Sequence, residues 1–339
     1  MAERHRREVT RDFELLILTI ERDVEILEFG MPLLRRYLAP RRTVFIAPKA
    51  CISRLERARI PQEGDLTLVE DEILGGLTPS LVRDLLAARN ADPGRAGWYF
   101  KQLVIFAYAT MPQAADRYLV WDADTLPLRE MSFFDEGGRA VFDVTAYFHV
   151  AYFETLKNLV GIERRVDYSF ISDHMMLEKE IVLALLDRIM GDRVPAGDSL
   201  ARRALSSISD EGLAGGCGFS EYETYGNFAA VYFPERFITR KSSRTREGST
   251  YFGLPPLSPA VLFALSRRYS WANFERPMEA DREIRDRLAA AAHRISGFLW
   301  STMTALLHLR VFASYLKDFR TIMREPTDEA PERRRAWTR

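Results

Sequence analysis

The chain has 339 residues and a mass of 39.0 kDa, enough for one large α/β domain with a helical addition or for two domains. Its 48 basic and 48 acidic residues give a net charge of zero, which argues against nucleic acid as a bulk electrostatic partner. Its two cysteines, Cys51 and Cys217, form neither a disulfide framework nor a zinc pattern, so a reducing, cytoplasmic setting is expected.

The first part of the chain alternates between strand and helix patterns. Apolar runs at 13–20, 43–47 and 65–69 have strand length, and residues 23–38 have helical spacing. Strands that alternate with helices form parallel sheets, so we expect an α/β fold with a Rossmann-like, mostly parallel sheet flanked by helices. The sequence has no G-x-G-x-x-G or G-x-x-x-x-G-K-[ST] motif, so a dinucleotide enzyme or a P-loop ATPase is unsupported. Further elements are predicted at 78–90, 97–110 and 148–159 (helices) and at 140–144 (strand).

The most informative stretch is an apolar strand pattern at 118–121 and the two carboxylates that follow it. Asp122 and Asp124 come at the predicted carboxyl end of this strand, where open α/β sheets bind their ligands. Side chains two positions apart leave a strand on the same side, so both carboxylates are expected to converge on one Mg²⁺ or Mn²⁺ ion. An isolated Asp-x-Asp is a weak signal, and a plain polar turn after a buried strand is the alternative.

Four segments that suggest a family occur in order along the chain. They are Trp98-Tyr-Phe-Lys-Gln102, Tyr118-Leu-Val-Trp-Asp-Ala-Asp-Thr125, Ser169-Phe-Ile-Ser-Asp-His-Met-Met176 and Phe219-Ser-Glu-Tyr-Glu-Thr-Tyr-Gly226. Over residues 12–255 the chain resembles the bacterial glycosyltransferase-like proteins of GT-A fold, which are nucleotide-diphospho-sugar transferases. The resemblance implies transfer of a sugar from a UDP- or GDP-sugar to a glycan or lipid-linked acceptor. It also implies a Mn²⁺ or Mg²⁺ ion held by Asp122 and Asp124.

The resemblance further implies which residues touch the donor. Trp98, Lys101 and Gln102 lie on the first turns of the helix predicted at 97–110, where Lys101 would meet a phosphate and Gln102 the base or sugar. A core position for Trp98 and a solvated charge at Lys101 are the structural alternative. The expected donor contacts are Thr19, Glu21, Lys49, Trp98, Lys101, Gln102, Asp122, Ala123, Asp124 and His174.

Asp173 and His174 are predicted to open a long helix that runs through Ile189, with Ser172 or Asp173 as its N-cap. The positive end of the helix dipole would then favour an anion beside them. For His174 the functional interpretations are a metal ligand, a phosphate contact or an acceptor contact. A histidine with a purely structural role is the alternative.

A glycine-dense segment at 212–218 is predicted to be a loop whose backbone approaches a ligand closely. It leads to Glu221 and Glu223, again two positions apart, with Tyr222 and Tyr225 as candidates for stacking on a sugar. An inverting transferase needs a general base near the acceptor hydroxyl, whereas plain solvated charge is the alternative. The candidate catalytic residues are Glu221, Glu223 and Asp173.

Composition divides the rest of the chain. Residues 236–248 are rich in Lys and Arg, which predicts either a mobile lid over a diphosphate or a floppy surface loop. Three prolines from Pro255 to Pro259 mark a predicted boundary near 255. The predicted parts are a basic leader (1–11), a catalytic domain (12–255), a C-terminal helical extension (256–324) and a disordered tail (325–339).

Residues 281–323 carry apolar side chains at helical spacing. Their charge-free run, 295–307, is too short to span a bilayer, so we expect these helices to pack on the catalytic domain. Peripheral contact with the inner membrane, or with a partner helix, is the alternative.

Three functions compete with sugar transfer. An Asp-x-Asp-x-Thr phosphatase would need a threonine where Leu126 stands, since Thr125 falls one place early. A nucleotidyltransferase would carry a glycine-rich, basic loop after its first strand, and residues 19–23 contain no glycine. A domain that binds a sugar nucleotide or a partner without turnover is the non-enzyme hypothesis.

Overall fold

The computed structural model describes residues 12–147, 149–191, 196–276 and residue 316. The strands are β1 (Glu14–Leu18), β2 (Arg42–Ala47), β3 (Leu66–Val69), β4 (Arg117–Trp121), β5 (Thr125–Pro127), β6 (Ala140–Asp143), β7 (His174–Glu178), β8 (Phe237–Arg240), β9 (Arg244–Thr245) and β10 (Trp271–Asn273). The helices are α1 (Val24–Leu38), α2 (Lys49–Arg57), α3 (Pro79–Ala87), α4 (Ala96–Ala107), α5 (Val150–Val160), α6 (Lys179–Met190), α7 (Gly197–Ser206), α8 (Asp210–Ala214), α9 (Glu221–Tyr232), α10 (Gly248–Phe252) and α11 (Pro259–Arg268).

The central sheet has the strand order β3-β2-β1-β4-β7. Its first four strands are parallel, and β7 runs antiparallel to β4 at the edge. Leu16 of β1 lies opposite Val44 on one side and Val120 on the other. Helices cover both faces of such a sheet, which is why these strands are almost continuously apolar. The predicted α/β fold with a mostly parallel sheet flanked by helices is confirmed.

A fully buried carboxylate, Glu14, ties the start of β1 to its surroundings. Its oxygens accept hydrogen bonds from the Tyr108 hydroxyl at 2.6 Å and from the backbone N–H of Ala115 at 3.0 Å. Arg42 on β2 donates its Nε–H to the same carboxylate at 2.5 Å. A buried charge is tolerated only with such partners, so Glu14 joins β1, β2 and the segment before β4.

A second apolar cluster connects residues on either side of the boundary predicted at 255. β10 pairs antiparallel with β5, which follows the Asp-x-Asp directly. Phe29 of α1, Leu126 of β5, Leu262 of α11 and Phe274 are buried together in this cluster. The described residues beyond 255 are therefore part of the same packed body as residues 12–255.

Several predicted parts lie outside the described residues. These are the basic leader, most of the helical pattern at 281–323 and the disordered tail. Among the residues that the structure does describe, no helix is long and apolar enough to cross a membrane.

Two predictions of local structure are wrong. Asp173 and His174 do not begin a helix: His174 starts strand β7, and α6 begins only at Lys179. All five residues of β7 are buried against β4, and this pairing overrides the helical pattern. Glu221 and Glu223 do not lie on a loop, because they form the first turn of α9, whose N-cap Ser220 accepts the Glu223 N–H.

Gly226 in α9 leaves room for the ring of Phe170 to pack directly against the helix. A Cβ atom there would lie 2.2 Å from Cγ of Phe170, whose ring is fully buried. We expect Gly226→Ala to lower the free energy of unfolding by about 1–3 kcal/mol, measured as a lower urea midpoint at unchanged slope.

The matched control is Gly97→Ala in α4, where a Cβ atom would meet nothing within 4 Å. Alanine is the better helix former by about 1 kcal/mol, so this midpoint should stay level or rise. Equal effects of the two substitutions would contradict the steric explanation.

Candidate functional site

Asp122 and Asp124 lie in a tight turn at the carboxyl end of β4. The backbone N–H of Thr125 donates to the carbonyl of Asp122 at 3.0 Å, which closes the turn. The N–H of Asp122 donates to the carbonyl of Asp173 at 3.1 Å, just before β7. The two carboxylates are therefore brought together by a turn, and not by the period of a continuous strand as the sequence predicted.

Lys101 on α4 reaches this turn. Its Nζ lies 2.5 Å from Oδ1 of Asp122, and both side chains are partly accessible to solvent. Burial would lower the pKa of Lys101, but the Asp122 carboxylate outweighs it and holds the pKa above its usual value. A charged lysine is thus fixed on one of the two aspartates.

The ionised form of the Asp124 side chain is disfavoured in the folded protein. Burial and then the charge of Asp122 raise its pKa to about 7. Its Oδ1 accepts a hydrogen bond from Asn273 Nδ2 at 2.9 Å, and its carbonyl accepts the N–H of Phe274 at 2.7 Å. Asn273 belongs to the site, and sequence reasoning missed it because no motif marks it and it follows Asp124 by 149 positions.

Glu221 is close enough to Lys101 to interact with its charge. Burial raises the pKa of Glu221 to about 7, the Lys101 ammonium lowers it in part, and Asp122 raises it again. Its backbone N–H donates to Gln102 Oε1 at 3.1 Å, which fixes the start of α9 against α4. Glu221 therefore shares one cluster with Lys101 and Asp122.

The Tyr222 hydroxyl belongs to the same cluster. It is buried and has no hydrogen-bond partner among the described residues. Burial is the largest cause that raises its pKa, followed by the charges of Asp122, Glu221 and Asp173. An unpaired buried hydroxyl is unfavourable, so a ligand that bonds to it would be stabilised.

Glu223 points elsewhere and is fully buried. Its Oε1 accepts the Ser169 hydroxyl at 2.5 Å and its Oε2 accepts Asn227 Nδ2 at 3.0 Å. Two positions along a helix are roughly 200° apart, so Glu221 and Glu223 cannot share a face. Tyr225 is also fully buried and accepts the N–H of Glu178 at 3.0 Å. Glu223 and Tyr225 hold the core together.

Asp173 is an anchoring residue. Its Oδ2 accepts hydrogen bonds from Trp271 Nε1 at 2.8 Å and from Arg244 at 2.5 Å. The Nε atom of Arg246 lies 3.6 Å from Oδ1. Two hydrogen-bond donors and one further guanidinium surround this carboxylate, so it holds β9 and β10 beside the Asp122 turn.

His174 is a core histidine in the structure. Its ring stacks on Trp121 with centroids 4.7 Å apart, and Nε2 lies 3.1 Å from Asp143 Oδ2. Trp271 packs edge-on against the same ring at 4.5 Å. Direct contact of His174 with a donor would require this aromatic cluster to open.

The remaining predicted donor residues divide into two groups. Trp98 is half-buried beneath the Arg95 guanidinium at 4.5 Å, while Gln102 and Ala123 are buried. Thr19, Glu21 and Lys49 lie at the carboxyl ends of β1 and β2, where Thr19 is buried and Glu21 and Lys49 are exposed. Thr19, Glu21, Lys49 and Ala123 thus follow the carboxyl ends of neighbouring parallel strands, whereas Trp98 and Gln102 lie on α4.

The basic segment at 236–248 is neither a lid nor a floppy loop in the structure. Arg236 is paired with Glu178, Arg240 with Asp143 and Arg244 with Asp173. β8 also pairs in parallel with β6. The guanidinium groups of this segment bind buried carboxylates and fix it to the rest of the protein. Its composition alone does not distinguish such a fixed segment from a solvated loop.

The side chains around Asp122 and Asp124 match the ligands of a divalent metal ion only in part. Within 12–147, 149–191 and 196–276, no group of three or more His, Cys, Asp or Glu side chains is arranged to hold a metal. Asp122 and Asp124 repel each other, and a cation shared between them would relieve that repulsion. Two carboxylates suit an ion that takes its other ligands from phosphate and water.

Comparisons with known proteins add little beyond a general likeness. No family model and no curated protein matches the sequence. Matching solved structures include apo mouse xyloside xylosyltransferase 1, at 12% identity and TM-score 0.38, covering 78% of this chain and 100% of that one. Galactosyltransferase LgtC with donor and acceptor sugar analogs matches at 8% identity and TM-score 0.32, covering 83% and 96%.

A synthase of a different reaction type matches similarly. This is 4-diphosphocytidyl-2C-methyl-D-erythritol synthase from Anaerococcus prevotii, at 10% identity and TM-score 0.33, covering 69% of this chain and 88% of that one. Identities and TM-scores this low decide nothing about chemistry. The function has to come from the site residues themselves.

The two aspartates should respond oppositely to neutral substitution in metal-free buffer. Asp124 is ionised above its folded pKa and repels Asp122, so Asp124→Asn should raise the melting temperature at about pH 8. Asp122→Asn leaves Lys101 without its carboxylate and should lower it. We expect shifts of a few degrees, since 1 kcal/mol corresponds to about 2–4 °C in a domain of this size.

The sign of the pH dependence provides a control. The loss of stability caused by ionised Asp124 is complete only above its folded pKa of about 7, and it is absent below its unfolded pKa of about 4. The gain in melting temperature from Asp124→Asn should therefore vanish as the pH falls from about 7 towards about 4. A melting temperature that is lower than wild type for both variants at every pH would contradict this description of the turn.

Proposed function

We propose that this protein is a bacterial, cytoplasmic glycosyltransferase of GT-A type. It would transfer a sugar from a UDP- or GDP-sugar to a glycan or lipid-linked acceptor with Mn²⁺ or Mg²⁺. The observation that carries the proposal is the convergence of Asp122, Asp124, Lys101 and Glu221 at the carboxyl edge of a mostly parallel sheet. Ligands of open α/β sheets bind at that edge.

The donor diphosphate would meet a lysine and two carboxylates at this turn. A divalent ion, when bound, neutralises the diphosphate as it leaves. Asp122 and Asp124 would hold it, while Lys101 turns from Asp122 to a phosphate oxygen. The Lys101 ammonium thus serves as a charge that is kept in place before the donor arrives.

Glu221 is the proposed general base. A base works best when its pKa lies near the operating pH, and burial raises the pKa of Glu221 to about 7. It would accept the proton of the acceptor hydroxyl, with the unpaired Tyr222 hydroxyl beside it. Glu223 and Asp173, also candidates from the sequence, would act as positioning residues, because several donors already bind each of them.

A binding domain without turnover is the second candidate. The observation that favours it is the Lys101–Asp122 ion pair, because it neutralises a metal ligand within the protein itself. Such a domain would bind a sugar nucleotide without needing a cation.

Metal and nucleotide should bind together. Two carboxylates leave most positions of the ion open, so Mn²⁺ alone and UDP or GDP alone should shift the melting temperature little. Together they should stabilise the protein by about 2.7 kcal/mol at a hundred times the Kd. Asp124→Asn should lose this joint shift. A wild-type melting temperature indifferent to metal and to every nucleotide tried would remove the basis of the proposal.

Glu221→Gln and Glu223→Gln form a matched pair on one helix. Glu221→Gln should reduce turnover of a UDP- or GDP-sugar by about 10²-fold or more, while the Mn²⁺–nucleotide shift persists. Wild-type turnover should rise as the pH passes about 7, since the base must be ionised. Glu223→Gln should instead keep turnover close to wild type, because Ser169 and Asn227 bind this carboxylate inside the core.

Turnover that is equal in both variants and wild type would leave Glu221 without a catalytic role. Joint binding without any sugar release in wild type would favour the binding domain.

A further inference from the structure

A small aromatic wall stands at the start of α5, formed by Tyr147, His149, Tyr152 and Cys217. The Tyr147 hydroxyl lies 2.6 Å from His149 Nε2, and their ring centroids are 5.4 Å apart. The His149 ring also packs against Tyr152 at 5.4 Å. The Sγ atom of Cys217 lies 3.9 Å from His149 Nδ1 and completes the group. We call these four residues the aromatic wall.

The outer end of the aromatic wall faces solvent. Tyr147 is 58% exposed and the adjacent Val150 is 65% exposed, the highest values among the large apolar side chains that the structure describes. Exposed apolar side chains that occur together mark interaction sites more often than those that occur singly.

The inner end of the aromatic wall lies beside the proposed base. Gly218, next to Cys217, donates its N–H to Tyr99 at 3.2 Å and accepts the Thr155 hydroxyl at 2.6 Å. These bonds fix the chain between Cys217 and Glu221, four residues apart. Tyr152 is buried, and burial, followed by its closeness to Cys217 and Glu221, raises the pKa of its hydroxyl.

We propose that the aromatic wall binds the terminal pyranose ring of a saccharide acceptor. This inference rests on the proposed function, in which Glu221 takes the acceptor proton. The exposed Tyr147 ring offers apolar contact, and its hydroxyl, which already bonds His149 Nε2, has a further lone pair that can accept a hydrogen bond from a sugar hydroxyl. An acyl chain would cover this lone pair without donating to it, so the wall suits a sugar better than a lipid.

The chain contains its own chemical probe of this surface. Cys217 is partly accessible, whereas Cys51 is buried, with 1% of its surface exposed. Burial also raises the pKa of the Cys51 thiol to about 11, which keeps it protonated and unreactive. Alkylation of the folded protein should therefore modify Cys217 alone.

The experiment measures the rate at which N-ethylmaleimide alkylates Cys217 in the full chain, with peptide mass spectrometry to assign the site. The probes are methyl pyranosides of glucose, galactose, mannose and N-acetylglucosamine. We expect at least one to slow alkylation, by about twofold when its concentration equals its Kd. The same peptides report Cys51, which is buried and should stay unlabelled.

Two variants test whether the aromatic wall itself is responsible for the protection of Cys217. Tyr147→Ala should abolish protection by the pyranoside. The matched control Tyr232→Ala, which is 46% exposed at the opposite end of α9 from Glu221, should keep it. Absence of protection by every pyranoside, or protection that survives Tyr147→Ala, would overturn the inference.

Melts with Mn²⁺ and UDP or GDP on the same samples distinguish the two proposals. A joint shift without pyranoside protection rejects the aromatic wall and leaves the donor site standing. Protection without any joint shift rejects the proposed function and leaves a saccharide-binding surface.

Discussion

The candidate site depends most on a single carboxylate, Asp173, and on the backbone beside it. The Asp173 carbonyl accepts the N–H of Asp122, and its side chain accepts Trp271 and Arg244. One residue thus joins the Asp-x-Asp turn, the antiparallel edge strand β7 and the distant β9–β10 segment. Because this carboxylate is buried, its attraction to Arg244 is weakly screened, and the three segments are held in one geometry.

Buried acids fall into two classes in this protein. Glu14 and Glu223 receive hydrogen bonds on both oxygens, so their charges are satisfied by the protein. Asp124, which is half-buried, and Glu221 have fewer partners, and burial raises the pKa of each to about 7. Burial also raises the pKa of Glu223, but its hydrogen bonds from Ser169 and Asn227 lower it in part. The hydrogen bonds on each carboxylate, and not the pKa alone, therefore distinguish structural acids from candidate functional ones.

The sequence predicts those parts of the structure that depend on interactions between residues close together along the chain, and fails where the interacting residues are far apart. The strands β1 to β4 and helix α1 follow from runs and spacings of apolar residues, which are local. β7 was mistaken for a helix start, because only its pairing with β4 decides its form. The helix at Glu221 carried an overlooked local signal, the Ser220-x-x-Glu223 spacing of a capped N-terminus. Asn273 had no signal at all, since its role arises from contact with Asp124 far along the chain.

The pairing of β10 with β5 has a consequence for the order of events during synthesis. β5 emerges with the Asp-x-Asp turn, but its partner strand follows it by more than half of the described chain. Contacts of such sequence separation close late, because the loop between them must be ordered first. The β1–β4 core can form on the ribosome, while the apolar side of β5 stays open to other chains. Completion of the Asp-x-Asp turn would thus be a late step in the folding of the described residues, and a chaperone would have much to protect there.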